Sequence, residues 1–226
     1  EASLRRTIEA SIKRAAPGFL KTLMLVPAVP PPPQRHPNLP PQLQPQPQQP
    51  EYRELQRSLD ADFTVIRNQI ESGSVPGDVD VLIVARPGAL DDSQLFAIDQ
   101  FLMRGGSVIV LAGAYEARVE TGTIAVQKTD KKLIDLLDAW GVDIKGSFVL
   151  DEQNARFPVP INEKRGVFTV QRIHYMNYPF FVDIRRDGFD RTHGALAGLQ
   201  NVVINWGSAV DTASVPEGVE AQVLLE

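Results

Sequence analysis

The sequence predicts an α/β fold, in which a parallel sheet is covered by helices on both faces and followed by a β-rich C-terminal extension. Two runs, VDVLIVA at 79–85 and SVIVLA at 107–112, are apolar and β-branched, as is typical of strands buried on both faces. Segments with helical periodicity separate the strand-like runs, and such alternation predicts a parallel sheet. Beyond residue 151 the alternation weakens.

The chain divides by composition into three predicted parts. Residues 1–18 predict a basic amphipathic helix, because apolar residues recur every four positions among arginines and lysines. One interpretation of such a helix is a stalk that lies along a membrane surface. The other, which the charges alone favour, is a solvated helix that packs its apolar stripe on the domain. Residues 19–150 predict the sheet domain and residues 151–226 its β-rich extension. The apolar positions of the helix are Leu4, Ile8 and Ile12.

The sheet domain begins with a strand and a loop of unusual composition. Residues 22–29, TLMLVPAV, predict a buried strand. Residues 30–50 are almost all proline and glutamine, and cannot bury enough apolar area to offset the entropy of ordering. They predict an extended loop, more often a spacer than a ligand for an aromatic groove. A short helix at 52–59 and a strand at 63–70 follow.

A capped helix joins the two apolar runs. A turn at 75–78 precedes the first run, and Pro87-Gly88 ends it. Asp91 and Gln94 have the spacing of a capping box, which predicts the start of the helix. Its predicted apolar stripe is Leu95, Ile98 and Leu102.

The later elements are predicted from shorter patterns. A helix spans residues 131–140, with Leu133, Leu136, Leu137 and Trp140 on one side. Residues 144–150 predict the fifth strand of the sheet. Both tryptophans, Trp140 and Trp206, lie in apolar patterns and are expected in the core. The extension is predicted to contain strands near 167–173, 179–184 and 201–206, and a small helix near 194–199.

The paired glycines in FLMRGGSVIVLAG, residues 101–113, do not have the context of a phosphate loop. A phosphate loop runs from strand to glycine turn to helix, so that backbone amides and the helix dipole meet the anion. Here a helix precedes Gly105-Gly106 and a strand follows. Gly105 suits the left-handed residue that ends a helix, and Arg104 suits its last turn. The pair is therefore predicted to be a structural joint.

Composition excludes several chemistries. The chain has no cysteine, which excludes disulfides, thiolate metal sites and cysteine nucleophiles. Its formal net charge of -5 gives no support for nucleic-acid binding. No apolar run approaches the roughly 18 residues that span a bilayer. The best candidate, 19–29, contains Lys21 and Pro27, and the first residues lack the apolar segment of a signal peptide.

The carboxyl edge of the sheet is the expected place for a ligand, because open α/β sheets bind ligands there. We expect this edge to hold Arg86–Gly88, Gly113–Glu116, Asp151–Asn154 and the loop at 30–50. Hydrolases and amidotransferases of this architecture carry a nucleophile on a strand-to-helix elbow. The corresponding residues, Gly113-Ala114-Tyr115, include neither serine nor cysteine. We therefore predict no catalytic, cofactor-binding or metal-binding residue, and no cofactor.

The remaining polar residues give weaker patterns. The histidines lack zinc-ligand spacing, and Asp91-Asp92 is predicted to be the helix cap. Aspartates and arginines alternate over residues 183–191, which predicts a solvated charged turn and not a calcium loop. Ser208 has no elbow context. The histidines are His36, His174 and His193; the charged turn contains Asp183, Arg185, Arg186, Asp187, Asp190 and Arg191.

A distinctive combination is formed by four stretches: VDVLIVARPGALDDSQLFAIDQFLMRGGSVIVLAG at 79–113, LIDLLDAWGVDI at 133–144, NVVINWGSAVD at 201–211 and the opening SLRRTIEASIKRA. In this combination they resemble the extracytoplasmic domain of the gliding-motility-type auxiliary proteins of ABC transporters. The resemblance implies a flavodoxin-like or class I glutamine-amidotransferase-like sheet without the amidotransferase catalytic residues. It also implies a bacterial protein anchored in the inner membrane by segments outside these residues, with this domain in the periplasm. The implied partners are a permease and an ATPase.

Three functional hypotheses follow. The first is a non-enzymatic accessory domain that couples the permease of an ABC transport system to a partner or substrate. The second is a carbohydrate- or peptide-binding module that uses the carboxyl edge of the sheet. The third, ranked lowest, is an enzyme with an acid–base pair formed by Asp151 or Glu152 with Tyr115.

Overall fold

The computed structural model describes residues 20–27, 52–68, 70, 73–120, 123–166 and 168–226. These residues fall into two compact units, one ending at Ala112 and one beginning at Gly113. The predicted helix within 1–18 and the loop at 30–50 lie outside the described residues. The division predicted from composition, at residues 18 and 150, stays a prediction. No helix in the described ranges is both long and apolar enough to cross a membrane.

The first unit contains a parallel sheet of four strands, which confirms the predicted mixed α/β class. Its strands are β1 (Thr22–Pro27), β2 (Thr64–Arg67), β3 (Val81–Ala85) and β4 (Ser107–Leu111). The spatial order is β2-β1-β3-β4, and every pairing is parallel.

The two central strands carry the core of this unit. β1 has five successive buried residues and β3 has four, so both faces of these strands are covered. The strand predicted at 107–112 is confirmed as β4, but its predicted central position, buried on both faces, was wrong. Within the described sheet β4 pairs only with β3, and Ile109 and Leu111 are exposed. An apolar β-branched run indicates a strand, but it does not determine whether neighbours lie on both sides of it.

Two helices accompany this sheet, α1 (Arg53–Leu59) and α2 (Asp92–Met103), as predicted. Leu59 and Phe63, at the end of α1 and just beyond it, pack against a buried cluster that includes Leu25 and Ile83. The buried residues of α2 are Ala97, Ile98 and Phe101. The predicted stripe was therefore only partly right, because its outer members, Leu95 and Leu102, are half-buried.

The glycine pair ends α2 in a Schellman motif. This confirms the prediction that the pair is a structural joint. Gly105 has φ +86°, and its N–H donates to the Leu102 carbonyl over 2.9 Å. The Gly106 N–H donates to the Phe101 carbonyl over 3.0 Å. These two bonds satisfy carbonyl groups that a helix end leaves without partners. The Arg104 Nε donates to the Gln100 carbonyl over 3.2 Å, which also places a cation at the helix end.

The second unit is mostly antiparallel. It contains the hairpin β5 (Tyr115–Glu120) and β6 (Thr123–Lys128), helix α3 (Lys131–Ala139), and strand β7 (Asp143–Phe148). These are followed by β8 (Asn154–Arg165), β9 (Phe168–Arg185), β10 (Asn201–Asn205) and β11 (Ser208–Asp211). The predicted helix at 131–140 is confirmed, and the predicted helix at 194–199 is a single 3-10 turn at Gly194–Leu196.

Strand β7 was predicted as the fifth strand of the parallel sheet, and this was wrong. It pairs antiparallel with β11, so that Ile144 lies opposite Val210. The same register places Asp143 directly opposite Asp211. Lys145 offsets this repulsion, since its Nζ lies 2.5 Å from an Asp143 oxygen and 3.1 Å from an Asp211 oxygen. The two carboxylates raise the pKa of Lys145, with the Asp143 hydrogen bond as the largest cause.

Strand β9 is one continuous strand of 18 residues, although two separate strands were predicted. The β8–β9 register shifts between Asn154, which pairs with Val182, and Arg156, which pairs with Asn177. Pro179 falls inside this irregularity, where its missing N–H removes no ladder hydrogen bond. Pro179 therefore lies at an irregularity within a single strand.

Candidate functional site

The parallel sheet has a topological switch point, at which successive strands stop being added on one side of β1 and are added on the other. β2 lies on one side of β1, and β3 and β4 lie on the other. In sheets of this type the crevice for a ligand opens outside the carboxyl ends of the strands at such a point. Among the described residues, the segment Arg86–Gly88, which follows β3, lies there.

This segment has an unusual backbone. Arg86 has φ +45° and Gly88 has φ +69°, both in the left-handed region that glycine adopts freely and other residues seldom adopt. The Arg86 N–H donates to the Leu111 carbonyl over 3.1 Å, and Pro87 is buried. The turn after β3 is therefore held by both β4 and the core.

The first turn of α2 is closed to an anion by its own cap. An Asp91 carboxylate oxygen accepts from the Gln94 N–H over 2.8 Å and from the Ser93 hydroxyl over 2.9 Å. The Gln94 side chain accepts in turn from the Asp91 N–H over 2.9 Å. This is the predicted capping box, and it occupies amide groups that a phosphate would need.

The segment Gly113–Tyr115 is not a strand-to-helix elbow, because a strand, β5, begins at Tyr115. The Thr129 hydroxyl donates to the Gly113 carbonyl, and the Ser208 hydroxyl oxygen accepts from the Ala114 N–H over 3.0 Å. The Tyr115 hydroxyl donates to the Gly146 carbonyl over 3.3 Å. The expected elbow was therefore wrong, and Ser208 fixes a loop.

The acid–base pair considered above is not formed among the described residues. An Asp151 carboxylate oxygen accepts from the Gln153 N–H over 2.7 Å, which closes a local turn. Both Asp151 and Glu152 are exposed, and no hydrogen bond joins either to Tyr115 within the described ranges. This turn follows β7, which pairs with β11 and is not a strand of the parallel sheet.

The charged segment 183–191 joins separate parts of the second unit. An Asp183 carboxylate oxygen accepts from the Asn201 side chain over 2.7 Å, and the other accepts from Arg185 over 3.1 Å. These hydrogen bonds lower the pKa of Asp183, and the hydrogen bond from Asn201 is the largest cause. Asp190 accepts from Thr192 and from the Gln222 side chain, and its pKa is also lowered. Asp183 and Asp190 are therefore structural ties, and the predicted solvated turn was only partly right.

The two described histidines do not meet. His174 is exposed on the β8–β9 hairpin, and the His193 Nδ1 accepts from the Ala195 N–H over 3.3 Å at the start of a 3-10 turn. Within the described ranges, no three histidine or acidic residues are grouped so that they could hold a metal ion. His36 lies outside those ranges.

A surface pocket of about 330 Å³ lies at the opposite edge of the sheet, at the amino ends of β3 and β4. Its polar side chains already have structural partners. An Asp80 carboxylate oxygen accepts from the Thr22 N–H over 2.7 Å, and Arg104 caps α2. The pocket is therefore part of the scaffold at the amino edge.

A family model described as ABC-type uncharacterized transport system matches residues 33–226. The chain belongs to this family. It is thus an auxiliary component of an ABC-type transport system, as the sequence resemblance implied. Comparisons with curated proteins and with solved structures gave no match.

The stretches that carried the resemblance build both units of this ABC-type transport family member. Residues 79–113 form β3, α2 and β4, and residues 201–211 form β10 and β11. Between β10 and β11, Trp206 has φ +53°, and its backbone N–H donates to the Phe180 carbonyl over 2.8 Å. Its ring centroid lies 4.8 Å from that of Phe181, in an edge-on contact that offsets backbone strain.

Aromatic residues therefore link the base of the β8–β9 hairpin to the rest of the second unit. Trp206 is half-buried in this cluster, and Trp140 is half-buried at the end of α3, so neither has the fully buried position expected of it. The members of the cluster are Tyr115, Phe148, Phe157, Tyr178, Phe180, Phe181 and Trp206.

Sequence reasoning predicted part of β9 but missed its partner β8, and with it the hairpin and the exposed surface that the hairpin carries. Phe157, Val159 and Ile161 recur at every second position in RFPVPI at 156–161, a period-two spacing that is typical of a strand and would have indicated β8. The same pattern in YEARVE at 115–120 would have revealed β5.

Proposed function

We propose that this domain is a non-enzymatic, extracytoplasmic accessory part of a bacterial ABC transport system, of the gliding-motility type. It would be anchored at the inner membrane, face the periplasm, and couple the permease to a partner or substrate. The family match over residues 33–226 carries this proposal, because it links most of the chain to an ABC-type transport system.

Two features of the structure support a scaffold role. The order β2-β1-β3-β4 agrees with the first four strands of the flavodoxin-type order, in line with a flavodoxin-like or amidotransferase-like ancestry. Two polar groups in or beside segments that were expected to hold a substrate are used structurally: Asp91 caps α2, and the Tyr115 hydroxyl donates to the Gly146 carbonyl. Such groups fix loops and are not poised to exchange protons with a substrate.

The test is affinity purification of the tagged full-length protein from native membranes, followed by quantitative mass spectrometry. We expect a permease and an ATPase to co-purify in comparable amounts with the protein. An untagged strain gives the background. Recovery of the protein without either component would contradict the coupling role.

Location needs a separate measurement. Protease added to intact spheroplasts should digest this domain, whereas a cytoplasmic marker should stay whole. Protection of the domain until the spheroplasts are lysed would place it in the cytoplasm and overturn the periplasmic assignment.

A second candidate function is a carbohydrate- or peptide-binding module, and one observation favours it. Arg86 holds a left-handed backbone at the switch point of the sheet, and strain of this kind is often retained at ligand sites. A ligand of this edge should raise the melting temperature, because it binds only the native state. Arg86→Gly should keep the fold and abolish that rise; a panel of oligosaccharides and peptides without any rise would remove this candidate.

A further inference from the structure

The β8–β9 hairpin extends beyond the rest of its sheet as a two-stranded arm, here defined as residues 156–177. The strands pair directly from Arg156 opposite Asn177 to Arg165 opposite Phe168. At about 3.4 Å per residue the arm is about 30 Å long. Strand β10 pairs with β9 only from Phe181 to Arg185, so in the described structure the arm has no third strand. A two-stranded ribbon is marginally stable on its own.

The arm exposes apolar side chains on both faces. Residues 168–177 are all exposed, with Phe168 at 71%, Ile173 at 61% and Tyr175 at 57%. Side chains of directly opposite residues share a face, so Ile173 and Tyr175 lie with Pro160 and Pro158 on one face. Ile161 and Met176, also exposed, lie on the other face. A strand added beside the arm would contact both of these apolar faces.

The two edges of the arm differ. Pro158 and Pro160 lie two residues apart on β8, and proline fits a ladder only where its nitrogen points away from the partner strand. The outer edge of β8 therefore lacks two hydrogen-bond donors. Residues 168–177 of β9 contain no proline and are rich in β-branched and aromatic residues. The outer edge of β9 is thus the edge that can accept another strand.

The charge of the arm opposes that of the rest of the chain. The arm has four basic residues, Arg156, Lys164, Arg165 and Arg172, and one acidic residue, Glu163, which gives a net charge of +3. The whole chain has a net charge of -5, so the remaining residues carry -8. Two such arms would repel each other if they paired edge to edge, and a lipid surface has no strand with which to pair the open edge. The charge and the edge together favour an acidic polypeptide.

We propose that the outer edge of β9, residues 168–177, binds an extended acidic segment of another protein as an added β-strand. Main-chain hydrogen bonds would supply affinity, and the exposed apolar and basic side chains would supply specificity. This inference goes beyond the accessory role and does not depend on which protein provides the strand.

The experiment places a photo-reactive benzoyl-phenylalanine at Tyr175 in the full-length protein, expressed in cells that naturally carry the gene. Cross-linked peptides are then sequenced by mass spectrometry. We expect cross-links to a segment of another protein that has a net negative charge. Cross-links only to lipid or to a second copy of this chain, or to no protein, would overturn the proposal.

A matched pair of proline variants tests the edge. Asn162 and Gln171 lie directly opposite each other, and the prolines of β8 imply that the N–H of each points outward. Gln171→Pro should reduce the cross-link yield about tenfold, because it removes a donor from the open edge. Asn162→Pro changes the other edge and should leave the yield unchanged. Equal losses in both variants would contradict binding at the β9 edge.

A charge variant keeps the test decisive if a proline variant fails to fold. Lys164 is exposed, and Lys164→Glu changes the net charge of the arm from +3 to +1. This variant should lower the yield about threefold at low salt and less at high salt, since salt screens exposed charges. An unchanged yield with Lys164→Glu would show that acidic character in the partner plays no part. The cross-linking result does not depend on whether a permease co-purifies with the protein. The accessory role and the strand-binding proposal can therefore fail separately.

Discussion

Replacing Gly106 with alanine tests whether the glycine pair is a packing joint between α2 and β4. A Cβ on Gly106 would lie 2.4 Å from the nearest ring atom of Phe101. Carbon atoms pack at about 3.5 Å, so the ring would have to retreat by about 1 Å. Phe101 is only 5% exposed and belongs to the core. Overpacking of this kind costs about 1–3 kcal/mol in the free energy of unfolding.

Gly105→Ala is the control, because it perturbs the backbone without a clash. An added Cβ at Gly105 meets no atom within 4 Å, but φ is +86°. The left-handed conformation costs an alanine about 1–2 kcal/mol. The two substitutions therefore have similar costs for different reasons, and their sizes alone cannot separate the causes.

A double-mutant cycle with Phe101→Leu separates them, measured by urea unfolding with the slope and midpoint fitted together. In the Phe101→Leu background, Gly106→Ala should lower the free energy of unfolding by less than it does in the wild type. The difference between the two backgrounds, which is the coupling energy, should be about 0.5–3 kcal/mol. The cost of Gly105→Ala should not change. If Gly106→Ala has the same cost in both backgrounds, the clash with the Phe101 ring is not the reason for glycine at this position.

Three further predictions concern caps and charges. Asp91→Ala should lower the free energy of unfolding by about 1 kcal/mol in urea titrations, because α2 loses its N-cap; no change would contradict the cap. Lys145→Met should destabilise the protein, since the Asp143 and Asp211 carboxylates would repel each other without the lysine that offsets their charges. Added NaCl should raise the melting temperature of Lys145→Met more than that of the wild type; an equal response would exclude this repulsion. The lowered pKa of Asp183 means that its stabilisation is fully present above the ordinary aspartate pKa of about 3.9, and is lost as the pH falls from there through the lower folded-state pKa. Between pH 5 and pH 3 the wild type should therefore lose more stability than Asp183→Asn, and equal losses would refute this.

The candidate site was predictable only in part. The turn Arg86–Gly88 was expected at the carboxyl edge because Pro87-Gly88 ends an apolar strand, and it lies there. The expected contributions of Gly113–Glu116 and Asp151–Asn154 depended on a single continuous parallel sheet. Since β5 follows Gly113 directly and β7 pairs with β11, those segments belong to antiparallel structure. The exposed arm was missed because no strand was predicted over β8, whose pairing with β9 the local sequence does not specify.

The sequence by itself determined the features whose hydrogen bonds join residues a few positions apart. The Asp91–Gln94 capping box and the Gly105 end of α2 are of this kind, and both are encoded within five residues. The apolar runs at 22–27 and 81–85 likewise specified strands through their composition, whereas the exposed residues of β4 show that composition did not determine burial.

Only the tertiary structure decided which strands meet and in which direction. The pairing of Ile144 with Val210 joins residues far apart in the chain, and nothing local at either residue specifies the other. The edge position of β4, the continuity of β9 through Pro179 and the open edge of the arm depend in the same way on distant partners. Such pairings result from competition among all strands for shared burial, so the physical reason for them lies in the assembled chain.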